Sequence, residues 1–140
     1  MSFPMTQIPL TANGNIRPGR FLTSVSGNAN FLLVVEATAS TQPLFGISER
    51  GTRGPAGVDE TYIAIATEPV PYRGPLQVAE VILGGTVSNM GVLLTADSAG
   101  RAVATAPVDG TTTYYGAIAL QAGLVNEYIP VYVLPPTPTV

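Results

Sequence analysis

Two adjacent carboxylates, Asp59-Glu60, are the residues of this 140-residue chain with the clearest capacity for catalysis. A pair of acids can carry out glycoside hydrolysis, one as the general acid and the other as nucleophile or base. Neighbouring side chains of an extended segment point to opposite sides, so these two do not converge on one substrate. They end a glycine-rich stretch, residues 49–60, with no hydrophobic period of its own. We therefore interpret the pair as part of a solvated loop.

The residue types that the chain lacks exclude most other catalytic and metal-binding chemistry. All six basic residues are arginine, and histidine, cysteine and lysine are absent. Ser–His and Cys–His nucleophiles, ordinary zinc sites, P-loops and Schiff bases therefore cannot be built. Asp97-Ser98-Ala99-Gly100 begins like a calcium loop, but the alternating oxygen ligands and closing glutamate of such a loop do not follow. We predict a β-turn there, and expect no enzyme activity, cofactor or metal site.

Charge is scarce along the whole chain. Charged residues make up 11% of it, against ~25% in typical soluble domains. So few charges protect a surface weakly against association, which indicates that partners cover much of it; codon bias explains the missing lysine equally well. The net charge is −3 with no basic stripe, so nucleic-acid binding is not expected. No run is long and apolar enough to cross a bilayer.

Short apolar runs separated by glycine, aspartate and asparagine predict an all-β domain, a small β-barrel or sandwich. The pattern is clearest from Leu83 to Val133. Tyr62-Ile63-Ala64-Ile65-Ala66 is predicted as a further strand, with one helical turn capped by Asp59 as the alternative. We place a single β-rich domain over residues 13–134. An extended N-terminal arm (1–12) precedes it and a Pro-rich tail (135–140) follows, the latter a polyproline-type segment that is solvated or lies along a neighbour.

The arm carries four large apolar side chains that something must cover: Phe3, Met5, Ile8 and Leu10. Pro4 and Pro9 exclude a helix and favour an extended chain. Either the arm folds back on its own domain, or it lies on a partner. The sequence leaves both alternatives open.

A weak internal echo suggests two related halves. In the first, a glycine turn and Phe21-Leu22-Thr23 lead to Leu44-Phe45-Gly46-Ile47. In the second, Gly91 and Leu93-Leu94-Thr95 lead after a similar gap to Tyr114-Tyr115-Gly116-Ala117. Such a repeat predicts two β-subunits packed as a barrel or sandwich.

Over residues 14–133 the chain resembles the capsid cement, or head decoration, proteins of tailed bacteriophages. Turn-and-strand motifs carry the resemblance: Gly84-Gly85-Thr86-Val87, residues 91–103, 116–123 and 127–131, with 16–21 and 45–48 in the first half. This chain departs from the commoner pattern in Asn89-Met90 before Gly91 and in a longer Pro-rich tail. The family implies a small β-rich domain, usually trimeric, that binds the outside of the head at local threefold positions and clamps neighbouring major capsid subunits.

The resemblance therefore implies a structural virion protein, made in the host cytoplasm and located on the outer capsid surface. Its expected partners are the major capsid protein and further copies of itself in a homotrimer, with no nucleic acid and no membrane. The candidate capsid contacts are the apolar residues of the arm and four arginines able to fork onto carboxylates: Phe3, Met5, Ile8, Leu10, Arg17, Arg20, Arg50 and Arg53.

Four tyrosines form a second candidate set, for packing in the barrel wall or at the trimer interface: Tyr114, Tyr115, Tyr128 and Tyr132. Aromatic side chains also serve as platforms for sugars, although tryptophan is absent. The alternative function is accordingly a carbohydrate-binding or adhesin module at a virion or cell surface.

Overall fold

Two five-stranded β-sheets form the fold in the computed structural model, which describes residues 8–25, 32–51, 61–105 and 110–138. Sheet I has the order β1-β3-β2-β4-β5 and sheet II the order β6-β10-β9-β7-β8. The strands are β1 (Thr11–Ala12), β2 (Phe21–Ser24), β3 (Leu33–Glu36), β4 (Gly46–Ser48), β5 (Tyr72–Arg73), β6 (Val78–Ile82), β7 (Leu93–Ala96), β8 (Ala102–Ala104), β9 (Tyr114–Ala119) and β10 (Tyr128–Pro138). The all-β prediction is confirmed. The described ranges contain no helix long and apolar enough to cross a membrane.

The internal echo corresponds to a repeated strand order. In sheet I, β2 lies between β3 and β4, with β5 beyond β4. In sheet II, β7 lies between β8 and β9, with β10 beyond β9. Phe21-Leu22-Thr23 begins β2 and Leu93-Leu94-Thr95 begins β7, and each strand pairs antiparallel with the later strand of its own half. The echo therefore marks two four-stranded units of the same order.

Sheet II curls until its two edge strands meet at one end. Leu83, just after β6, forms a bridge with Ala102 of β8, and the Gly84 amide donates to the Ala102 carbonyl at 2.8 Å. Small side chains on the inner face leave room for this tight curvature: Ala79, Ala96, Ala102, Ala117 and Ala119 are all buried. Branched residues such as Val81, Leu94 and Val131 fill the remaining interior.

Sheet I closes the open side of this curled sheet. Alternate residues of a strand face opposite sides, and Phe21 and Ile47 pack with the interior of sheet II. Leu22 and Val34 face the other way, into a second apolar cluster that Ile63, Ala64 and Val70 complete. Both faces of sheet I are therefore buried by the chain itself.

Residues 62–66 do not form the predicted strand. Only Ala64 makes a bridge, to Ile16, and the chain then turns at Thr67, where φ is +74°. The Glu68 carboxylate accepts the Ile65 amide at 3.0 Å and stabilises this turn. The segment acts as a cover for sheet I and not as a strand within it.

Both chain ends enter the sheets further than the sequence indicated. Leu10, assigned to the arm, is buried in the second apolar cluster, and Thr11–Ala12 is strand β1. For Leu10, folding back on the same domain is therefore the correct alternative. Residues 135–138, assigned to the Pro-rich tail, complete β10 and pair with Tyr114 and Tyr115 of β9. Phe3 and Met5 lie outside the described residues, as do Arg53 and Asp59-Glu60.

Three of the prolines in strand β10 lie where its pairing with β9 ends or shifts register. Pro130 faces Leu120, one residue beyond the end of β9, so the missing amide costs β9 no ladder bond. Pro135-Pro136 falls where the register between β10 and β9 shifts, between Val133 and Thr137. Proline is otherwise confined to edge strands and bulges, and here it marks the bulge.

We expect Gly116→Ala to lower the free energy of unfolding by about 1–3 kcal/mol, the usual effect of overpacking. A β-carbon at this position of β9 would lie 2.9 Å from the Leu44 β-carbon and 3.0 Å from Phe21 Cε1. Gly14→Ala is the control, since nothing lies within 4 Å of its β-carbon position. Urea unfolding measures both variants, and equal stability of the two would contradict this account of the contact between the sheets.

Candidate docking surfaces

Arg17, a candidate capsid contact, is paired inside the chain. Its guanidinium donates to the Glu36 carboxylate from Nη2 at 2.9 Å and from Nε at 3.1 Å, and its backbone amide donates to the same group at 2.6 Å. This hydrogen bonding raises the pKa of Arg17 above its usual value. The Glu36 side chain is only 16% exposed, so the pair joins the start of β2 to the end of β3.

Arg20 reaches across to sheet II. Its Nη1 donates to the Ala99 carbonyl at 2.9 Å, and Nη2 of Arg17 donates to the same oxygen at 3.3 Å. Burial lowers the pKa of Arg20, and its Nε is buried without a hydrogen-bond partner in the part of the chain described. Arg17 and Arg20 therefore join the two sheets of one chain, while their contact with a capsid remains a prediction.

The Asp97–Gly100 segment is the β-turn that receives these arginines. One Asp97 carboxylate oxygen accepts the amides of Ala99 and Arg101 at 2.8 and 2.9 Å, and the other accepts Nε of Arg101 at 3.0 Å. Gly100 has a φ of +75°, and its carbonyl accepts the Phe21 amide at 2.9 Å. The carboxylate thus shapes the turn. Among the described residues, no group of three or more acidic side chains is arranged to hold a metal ion.

Arg50, unlike Arg17 and Arg20, lies on the surface. It pairs with Glu80 at 3.1 Å, with both side chains about half exposed, and its guanidinium lies 4.3 Å from the centre of the Tyr128 ring. Arg73 and Glu49 form a second exposed pair at 3.0 Å. The two pairs line an open cleft of about 260 Å³ beside β6. Each cation here already has an acidic partner.

The outer face of sheet II carries an apolar row that crosses four strands, which we call the apolar wall: Val78 (β6), Tyr132 (β10), Ile118 (β9) and Leu93 (β7). The register places Tyr132 opposite both Val78 and Ile118, and Ile118 opposite Leu93. Val78 is 56% exposed and Leu93 37%. Leu120, also partly exposed, follows Ile118 on the same face. An uncharged row of this kind marks a surface suited to a partner.

An apolar pocket lies where the two chain ends meet. It has a volume of about 150 Å³ and is lined by Ile8, Leu10, Phe45, Tyr72, Pro75 and Pro136. The Tyr72 hydroxyl donates to the Ile8 carbonyl. Burial raises the pKa of Tyr72. The arm residue Ile8 lines this pocket and is itself 57% exposed, so the apolar surface is open to solvent at this point.

The four candidate tyrosines fall into two groups. Tyr128 and Tyr132 lie on the same outer face of β10, Tyr128 under Arg50 and Tyr132 in the middle of the apolar wall. Tyr114 and Tyr115 begin β9 beside the last residues of β10. The backbone of Tyr114 bonds to Ser40 and Thr95. Of the four, only Tyr132 belongs to the apolar wall, a row that the sequence analysis did not identify.

Comparison with known proteins supports the fold. No family model matches the chain, and no curated protein matches it in sequence. The structure is similar to that of the N-terminal base of head fiber gp8.5 in bacteriophage phi29, with a TM-score of 0.52 and 17% sequence identity over 90% of this chain and 91% of that one. A protein of the phage head thus shares this fold over nearly the whole length of both chains. This agrees with the resemblance seen in the sequence.

We expect Arg17→Ala to destabilise the fold by about 1–3 kcal/mol, because a mostly buried carboxylate loses its guanidinium donors and keeps only the backbone amide of residue 17. Arg50→Ala breaks a pair between two half-exposed side chains and should cost about 1 kcal/mol or less. Urea unfolding of the two variants makes the comparison. If Arg50→Ala proves the more damaging, the division into internal and surface arginines is wrong.

Tyr72 predicts a loss of stability at high pH. Its pKa is raised in the folded protein from 10.0, so the unfolded chain releases this proton first and the native state loses stability as the pH rises above about 10. Tyr72→Phe should flatten this decline, while at pH 7 it loses the bond to Ile8. Unfolding free energies measured between pH 7 and 11 test both effects, and an unchanged slope would contradict the assignment.

Proposed function

We propose that this chain is a structural protein of a bacteriophage virion that attaches to the outside of the head and stabilises the lattice of major capsid protein. The observation that carries the proposal is the shared fold with the base of a phage head fiber over 90% of the chain. The inventory of side chains agrees with a structural role, since histidine, cysteine and lysine are absent.

Stabilisation of this kind works by mass action. A protein that binds the assembled lattice, and does not bind its separated subunits, stabilises the lattice by its binding free energy. Modest contacts are sufficient when many copies bind, because neighbouring contacts act at high effective concentration. We place the attachment at local threefold positions and the assembly as a homotrimer, following the resemblance of the sequence.

The contacts with the head are assigned to those candidates that are at least half exposed or that lie outside the described residues. Arg17, Arg20 and Leu10 are engaged within the fold. We therefore assign the capsid contact to the arm before Leu10, with Phe3, Met5 and Ile8, and to the surface around Arg50 and Arg53. The apolar wall, with Tyr132 at its centre, is assigned to contact between copies.

Deletion of residues 2–7 should weaken binding to heads and leave the fold intact. The deletion ends before Ile8, whose carbonyl accepts the Tyr72 hydroxyl, and before the buried Leu10. Phage heads that lack this protein are mixed with each variant and sedimented, and thermal unfolding is followed in parallel. A bound fraction at least about tenfold lower at limiting protein, equivalent to about 1.4 kcal/mol, is expected for the deletion.

Two results would count against this assignment. If the full-length chain does not sediment with heads, the proposed function is wrong. If the deletion variant binds as well as the full chain, the function stands and the arm is not the contact. A deletion that abolishes cooperative unfolding would instead assign the arm to the chain's own core.

A further inference from the structure

Leu76 is an exposed leucine in a backbone conformation that leucine rarely adopts. Its φ is +67° and its side chain is 62% exposed. It is the third residue of the turn Gly74-Pro75-Leu76-Gln77, where proline at the second position and a positive φ at the third are the pattern of a type II turn. Glycine or asparagine is favoured there, since a β-carbon is strained.

The turn is firmly held, so Leu76 protrudes in a fixed position. The Gly74 amide donates to the Gln77 side chain at 2.8 Å, and the Leu76 amide donates to the Val133 carbonyl of β10 at 2.9 Å. Strained and exposed apolar residues that the surrounding structure holds in place are found at functional sites. Folding of this chain gains nothing from burying the Leu76 side chain, which points to a partner.

A matching recess lies on the same surface. Pro75, the residue before Leu76, lines the apolar pocket together with Phe45, Tyr72 and Pro136. The pocket measures about 150 Å³, and an apolar cavity of that size accepts a group as large as benzene. The four-carbon side chain of leucine is smaller than benzene. One chain therefore presents both a protruding leucine and a pocket able to hold one.

The charges around this surface favour a second copy of the chain as the occupant. Apart from the tyrosine hydroxyls, no titratable group belongs to the pocket, Leu76 or the apolar wall. Arg50 and Arg73, which line the cleft together with Val78 of the wall, already have acidic partners. A partner that brought charged side chains would have to bury them without counter-ions, which is costly. A second copy of this chain brings an uncharged, exposed leucine instead.

We propose that copies of this chain associate by inserting Leu76 of one copy into the apolar pocket of another. Val78 follows Leu76 by two residues and begins the apolar wall, so the same contact continues over Tyr132 and Ile118. The inference deepens the self-association included in the proposed function and names its contact. It does not depend on binding to the head.

Leu76→Asn tests the contact against a matched control, Leu124→Asn. Leu124 has the same exposure, 62%, and lies in the turn before Glu127. Asparagine tolerates a positive φ, so Leu76→Asn should unfold at a urea concentration equal to or above that of the parent. Its self-association, measured by sedimentation equilibrium, should weaken by about tenfold or more. Leu124→Asn should associate as the parent does.

Disulfide trapping gives a direct readout, because the natural chain contains no cysteine. A tagged Leu76→Cys protein is mixed with an untagged Pro136→Cys protein and oxidised. A crosslinked product that contains one chain of each kind is expected. A mixture of tagged Leu124→Cys with Pro136→Cys should give only background.

Three results would overturn the proposal: a parent chain that remains monomeric at high concentration, equal effects of the two asparagine variants, or no excess of the 76–136 crosslink. If deletion of residues 2–7 converts a monomer into an oligomer, the arm itself fills the pocket. If the chain binds heads but does not associate through Leu76, the proposed function stands and only this inference is wrong. If the chain associates through Leu76 but does not bind heads, only the proposed function is wrong.

Discussion

The fold depends on one contact above all, in which the Asp97–Gly100 turn of sheet II packs against the start of β2 in sheet I. One carbonyl, that of Ala99, accepts hydrogen bonds from both Arg17 and Arg20. The next, that of Gly100, accepts the amide of Phe21. Each sheet has its own hydrogen-bonded ladder, and these three bonds join one sheet to the other, together with the bond from the Tyr114 amide to the Ser40 carbonyl. The side chain of Phe21 then enters the interior of sheet II.

This contact explains how a chain with so few charged residues uses them. Arg17 is balanced by Glu36 and Arg101 by Asp97. Among the described residues, Arg20 donates to the Ala99 carbonyl, and burial lowers its pKa. Three of the described cations thus hold the turn and its surroundings together within the chain. The apolar wall and the apolar pocket, in contrast, present uncharged side chains at the surface.

The sequence was sufficient to predict the class of fold and the repeat, because strands and turns are local patterns. The turn at Asp97 follows from residue types within a few positions. The strand expected at residues 62–66 failed since its amides bond instead to Ile16 and to the Glu68 carboxylate. No local pattern could foresee that β10 would continue through Pro135-Pro136, because a register shift elsewhere in the ladder accommodates them.

The surroundings of the candidate site residues could not be predicted from the sequence in the way that the fold was, for a physical reason. Arginines were assigned to partners by their type, and type does not reveal that Glu36 and Ala99 would lie within reach of Arg17 and Arg20. The apolar wall unites strands that are far apart in the chain, and only the register brings Val78, Tyr132 and Leu93 into one row. One signal was present in the sequence: leucine stands in Gly74-Pro75-Leu76-Gln77 where glycine or asparagine would satisfy the turn.

The two units share one strand order but differ in how the faces of their sheets are covered. Sheet I is covered on one face by sheet II and on the other by residues 61–70. Sheet II curls around its own interior, and within the described part of the chain no second layer covers its outer face. Two units of the same order thus end with unequal surfaces. The second unit presents a broad apolar face, and self-association through it would bury that face while leaving Ile8 and the surface around Arg50 available for the head.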